Sequence, residues 1–199
     1  ANGLKDHALL LDCKKIEHEY VPFDLGGYTL VIANCNKPHN LVESKYNERR
    51  AETEEALAGL KTVLNVDCLA EVSPEQFEKY KYLLGKKVAD RAEHVIYECA
   101  RVNEAVDAME KGDTETLGKL LNESHASLKN KYEVTGKELD CLAETAQSFS
   151  GCVGSRMTGA GFGGCTISIV DKNAAKDFEK FVGEKYEKTI CSPATFYEA

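Results

Sequence analysis

The chain is short of the residue patterns that would give it away quickly. Its eight cysteines are scattered with no Cys-x-x-Cys pair, and its five histidines show no metal-ligand spacing. Neither a zinc site nor a dithiol redox motif is therefore indicated, and the cysteines read as small buried hydrophobes of a reducing compartment. Basic residues are outnumbered, 25 Lys and Arg against 33 Asp and Glu, and the net charge is −8. A nucleic-acid or anionic-membrane surface needs clustered cations, so both partner classes are excluded. No apolar run approaches the roughly 18–20 residues of a membrane span, and no signal-peptide pattern opens the chain, which gives a cytoplasmic expectation. Internal repeats, linkers and low-complexity stretches are also missing.

What is present suits one ordinary globular domain: 199 residues, 43% hydrophobic and 29% charged. Short apolar runs at 7–12 and 28–33, with a weaker alternating run at 18–23, predict a small antiparallel β unit of three strands. Helical periodicity then takes over. Val42, Tyr46, Thr53, Leu57, Leu60 and Leu64 share one face, with a capping box expected between Asn40 and Glu43. On that helix Tyr46 reads as a core residue with its hydroxyl at the rim. Arg49 and Arg50 read as a solvated face with partners such as Glu54.

Ser73-Pro74-Glu75-Gln76 combines an N-cap serine, proline at the first helical position and glutamine three residues after the cap, so it starts a helix. Val88 to Met109 keeps helical spacing until Gly112 and predicts a long packing helix. Asp113 caps a further one. Ser124 and His125 are adjacent there, but neighbours on a helix point about 100° apart, so a Ser–His nucleophile pair is excluded. Helices are expected at 138–149 and 174–188, a strand at 165–170 and a closing strand at 194–197. Three strands, five helices and a final β-α-β make the fold class α+β, an antiparallel sheet with helices packed on one side.

The densest local signal is GSRMTGAGFGGC, in which Gly159, Gly161, Gly163 and Gly164 fall within six residues. Such a run lets the backbone take positive φ and gather N–H groups around an anion, or simply make a tight turn. It is not a dinucleotide fingerprint, because a helix precedes it and a strand follows, and it lacks the Gly-Lys-Ser/Thr of a P-loop.

This stretch resembles the C-terminal glycine-rich motif of galactokinases, members of the GHMP small-molecule kinases. HALLLDCKKIEHEYVPFDL, SKYNERRAETEEAL, RAEHVIYECARVNEAV and NESHASLKNKYEVTGKELDCL match the same family in the same order. The resemblance implies a GHMP-kinase C-terminal domain, ferredoxin-like, over 37–199, with 1–36 a β segment continuing from an N-terminal domain. It implies a parent that transfers the γ-phosphoryl of ATP to the 1-hydroxyl of galactose with Mg2+. Tyr46 matches the family's sugar-binding tyrosine. Gly159, Ala160, Gly161, Phe162, Gly163 and Gly164 match the loop beside the nucleotide phosphates.

The family's galactose-reading and ATP-wrapping motifs do not occur here, and its catalytic aspartate is expected a few residues before Ala1. The chain start accordingly reads as a cut. The fragment is expected to fold, to be inactive alone, and to meet either the missing half or a second copy through its exposed face. Alternatives are half of a non-catalytic sugar and ATP sensor, or a stand-alone module for a phosphate ligand.

Overall fold

The computed structural model describes residues 3–37 and 42–198. Strands β1 (His7–Asp12) and β2 (Glu17–Pro22) pair as an antiparallel hairpin. Strand β3 (Tyr28–Asn34) leaves that hairpin and enters a second sheet. The expected three-stranded unit is therefore split. Alternation explains why: Thr29, Val31 and Ala33 are buried, whereas ten consecutive residues around the β1–β2 turn, 11–20, are exposed. β3 brings a whole alternating face to the core, whereas the hairpin fully buries just Val21 among its strand residues.

The helices follow as α1 (Val42–Leu60), α2 (Pro74–Tyr80), α3 (Lys86–Glu110), α4 (Thr114–Ser127) and α5 (Gly136–Gln147). The capping box at Ser73 forms as expected, with Ser73 Oγ accepting from the Gln76 N–H at 3.2 Å and Gln76 returning the bond at 3.0 Å. Asp113 caps α4 through the Thr116 N–H at 3.0 Å. The cap expected at Asn40 lies outside the described residues. Between α4 and α5 the chain makes one π-helical turn, Leu128–Tyr132, and leaves it through Glu133 in the left-handed region, φ 56°.

Strands β4 (Cys152–Thr158) and β5 (Cys165–Asp171), helix α6 (Ala175–Ile190) and strand β6 (Thr195–Glu198) complete the chain. The main sheet is fully antiparallel in the order β4-β5-β3-β6. Val31, Ala33, Met157 and Val170 on one face meet Leu139, Leu142, Phe178, Val182 and Tyr186 from α5 and α6. At one end of the opposite face, Ile169 and Leu30 pack on Ala108 and Leu117 where α3 passes into α4. A separate cluster joins α1, α2 and α3 through Ala56, Leu60, Phe77, Ala92 and Ile96.

Edge strand β4 is closed off by side chains. Asn122 Oδ1 accepts from the Ser155 N–H at 2.8 Å and Gln147 Nε2 donates to the Ser155 carbonyl at 2.9 Å. His125 Nδ1 accepts from the Met157 N–H at 3.2 Å, and Arg156 Nε donates to the Met157 carbonyl at 2.9 Å. Helix α4 comes this close because Gly118 faces Val153 and Gly154: a Cβ at Gly118 would stand 2.6 Å from the Val153 carbonyl carbon. Accepting at Nδ1 places the His125 proton on Nε2, which faces Asp140 Oδ1 at 3.4 Å. Burial pushes the His125 pKa down.

Candidate functional site

Gly159–Gly164 joins β4 to β5, so the loop is a hairpin connection and follows a strand, not the expected helix. Helix α5 ends at Gln147, and the missed strand begins five residues later. Positive φ occurs at Gly159 (87°), Gly161 (83°), Phe162 (60°), Gly163 (144°) and Gly164 (96°). Phe162 is a bulky residue in the left-handed region, a conformation that persists only when its surroundings hold it. Two anchors do so. The Phe162 N–H donates to the Val134 carbonyl at 2.6 Å, and the Gly164 carbonyl accepts from the Cys35 N–H at 2.9 Å. Gly161 is needed for the first, since a Cβ there would overlap the Val134 carbonyl. Gly159 and Ala160 form the exposed tip, while Gly161 and Gly163 are buried.

The start of α1 lies against this loop, with Lys45 Nζ 5.1 Å from the centroid of the Phe162 ring. Tyr46, the next residue, is 54% exposed, so it is a rim residue without a core role. Tyr132 stacks on His94 at 4.6 Å between ring centroids. Burial raises the Tyr132 pKa, and the nearby Tyr46 phenol adds to the shift. Tyr46, Lys45, Phe162 and the 132–134 turn are thus neighbours. Arg156 contributes no free charge, being paired with Glu98 at 3.1 Å. Among the described residues the site offers glycine-loop backbone, the Tyr46 phenol and the Lys45 ammonium, a set suited to neutral hydroxyls and to anionic oxygens. Ser124 and His125 have separate partners, Glu98 and the Met157 N–H, as the helix geometry requires.

Arg49 corrects its sequence reading, whereas Arg50 keeps to it through an i,i+4 pair with Glu54 at 2.9 Å. Arg49 is buried, and so are Glu52 and Arg91. Glu52 Oε2 accepts from Arg49 at 2.9 Å and from Arg91 at 2.8 Å, while Lys87 approaches the other oxygen at 2.5 Å. Burial pushes the Glu52 carboxyl up, but hydrogen bonds from Lys87 and Arg91 and the Arg49 charge outweigh it and bring its pKa down to about 2. A hydrophobic-face search passes over such a cluster. The available signal was the charged spacing Arg49, Glu52, Ala56 and Leu60, which is one helix face.

This architecture recurs in known proteins. Residues 105–188 match the family described as GHMP kinases C terminal. The fold is shared with L. major mevalonate kinase in complex with R-mevalonate, which aligns with a TM-score of 0.57 at 17% identity, over 96% of this chain and 47% of that one. The chain is similar to galactokinases. It is 48% identical over 198 residues to galactokinase of Limosilactobacillus reuteri (strain DSM 20016), covering 99% of this chain and 50% of the relative. The crystal structure of Lactococcus lactis galactokinase complexed with galactose aligns with a TM-score of 0.94 at 49% identity, over 98% of this chain and 50% of that one. The chain spans about half the length of the curated relatives it matches.

Proposed function

We propose that this chain is the C-terminal part of a galactokinase, which moves the γ-phosphoryl group of ATP to the 1-hydroxyl of galactose. The observation that carries the reading is the near-complete superposition on a galactose-bound galactokinase. Its site geometry supports it: Tyr46 on the rim and Gly159–Gly164 are brought to one place by the Lys45–Phe162 contact. In this reading the Tyr46 hydroxyl hydrogen-bonds the sugar, the loop N–H groups face the nucleotide phosphates, and Lys45 adds a cation beside them. Phosphoryl transfer depends mainly on positioning and charge stabilisation, and these residues supply positioning.

Among the described residues no group of three or more His, Cys, Asp or Glu could hold a metal ion. Magnesium would then be held by the phosphates together with carboxylates from the rest of the protein. The exposed side chains of the β1–β2 hairpin, Leu9, Leu11, Ile16 and Tyr20, form the apolar surface that would meet that remainder.

The test is product formation from galactose and Mg-ATP, by the full-length protein and by this chain alone. Galactose 1-phosphate is expected from the first and, above a no-protein control, not from the second. Turnover by this chain alone would refute the placement of the catalytic base outside it. A full-length protein that binds both ligands without turnover would be the sensor.

A further inference from the structure

We propose that Arg91, assisted by Arg49, is a positioning residue for the glycine loop; this rests on the reading of that loop as the phosphate-facing element. The clamp is built on the π turn, Leu128–Tyr132. Helix ends leave carbonyls without intrahelical partners, and here the chain turns sharply at Glu133, so the carbonyls of Lys131, Tyr132 and Glu133 are free to face α1 and α3. Two guanidiniums receive them. Arg91, 1% exposed, donates from Nη1 to the Lys131 carbonyl, from Nη2 to Glu133 Oε2 at 2.5 Å and from Nε to Glu52 at 2.8 Å. Arg49 donates from Nε to the Tyr132 carbonyl at 2.6 Å, from Nη2 to the Glu133 carbonyl at 3.4 Å and from Nη1 to Glu52 at 2.9 Å. Three successive carbonyls are therefore fixed by one pair of arginines bridged by one carboxylate.

The next residue is Val134, whose carbonyl accepts the Phe162 N–H at 2.6 Å. Nothing but one peptide unit separates the clamped turn from the loop contact. An apolar contact of equal volume would join α1 to α3 at least as well as a buried ion cluster. It could not address three backbone oxygens in a fixed geometry, which needs the rigid multi-donor fork of arginine. Lysine keeps the charge and loses the fork.

The test reads the loop first and catalysis second. In this chain, hydrogen–deuterium exchange at Phe162 is compared between wild type, Arg91→Lys and Arg49→Lys, with α6 amides as internal reference. Exchange at Phe162 is expected to quicken about tenfold or more while α6 stays within about twofold. Arg49→Lys, which leaves Arg91 in place, decides the matter if Arg91→Lys does not fold. Unchanged Phe162 protection in a folded variant overturns the proposal.

In the full-length enzyme the same variants should raise the KM for ATP about tenfold and leave the KM for galactose within about twofold. Gly161→Ala serves as the loop control. If it raises the KM for ATP and the arginine variants do not, the positioning role is overturned. If Gly161→Ala also leaves that KM unchanged, the phosphate-facing reading of the loop fails instead, and Phe162 exchange still decides whether the arginines hold the loop.

Discussion

Replacing Gly161 by alanine puts a methyl group where the chain has no room for one. The new Cβ would lie 2.9 Å from Val134 Cβ and closer still to the Val134 carbonyl, and backbone cannot move aside by changing rotamer. Gly159 is the matched control: its φ of 87° is close to the 83° of Gly161, but a Cβ there meets nothing within 4 Å. The dihedral cost of an L-residue at such a φ is about 1–2 kcal/mol, less about 0.4–1 kcal/mol recovered from the unfolded chain. Gly159→Ala should therefore cost about 1 kcal/mol. Gly161→Ala adds the loss of the 2.6 Å Phe162–Val134 hydrogen bond, about 0.5–1.5 kcal/mol, and the displacement of the turn, for a total of about 3 kcal/mol. Urea unfolding of both variants measures the difference. Equal losses would mean that the loop is not anchored on Val134.

Acid should weaken the fold in two stages. His94, held neutral by burial with its pKa lowered from 6.5 to about 4, takes up a proton only on unfolding, so stability falls as pH drops from 6.5 to about 4. Glu52, lowered from 4.5 to about 2, contributes stability that is complete above pH 4.5 and is lost towards pH 2. Each stage is worth about 2–3 kcal/mol at most, and His94→Gln should shrink the first, to which the buried His125 also contributes; a wild-type urea midpoint that stays flat from about pH 6.5 to 4.5 contradicts this. Gly118→Ala, a change that favours helix in isolation by about 1 kcal/mol, should destabilise by more than about 2 kcal/mol because of Val153; a raised melting temperature would refute the close approach. If the proposed function holds, Tyr46→Phe in the full-length protein should raise the KM for galactose about 2–10-fold, the worth of one neutral hydrogen bond, and an unchanged KM in a folded protein would remove Tyr46 from the proposed sugar contact.

Sequence patterns located most elements because local chemistry sets them. Ser73-Pro74 and Asp113 cap their helices where side-chain oxygens meet free N–H groups, and the apolar alternation of β3 and β5 marks strands with a buried face. Strand β4 escaped notice because Gly154, Ser155 and Arg156 have turn-like composition. It is a strand through pairing with β5 and through Asn122, His125 and Gln147, all remote in sequence. The same reason hid the loop's true neighbours. Resemblance picked out Tyr46 and the glycines, but the buried Arg49–Glu52–Arg91 cluster runs against the hydrophobic periodicity of α1, and only tertiary structure brings the 131–134 turn onto it.

The side-chain closure of β4 bears on how copies of this chain can go wrong. A sheet edge with free N–H and C=O groups invites a foreign strand, and runaway addition of that kind is a route to fibrils. At Ser155 and Met157 those groups are already spoken for. The other border of the main sheet is β6, only four residues long, with Tyr197 exposed. Strand-mediated aggregation from this sheet should therefore start at Thr195–Glu198, and a charge or proline introduced there should suppress it more than any change along β4.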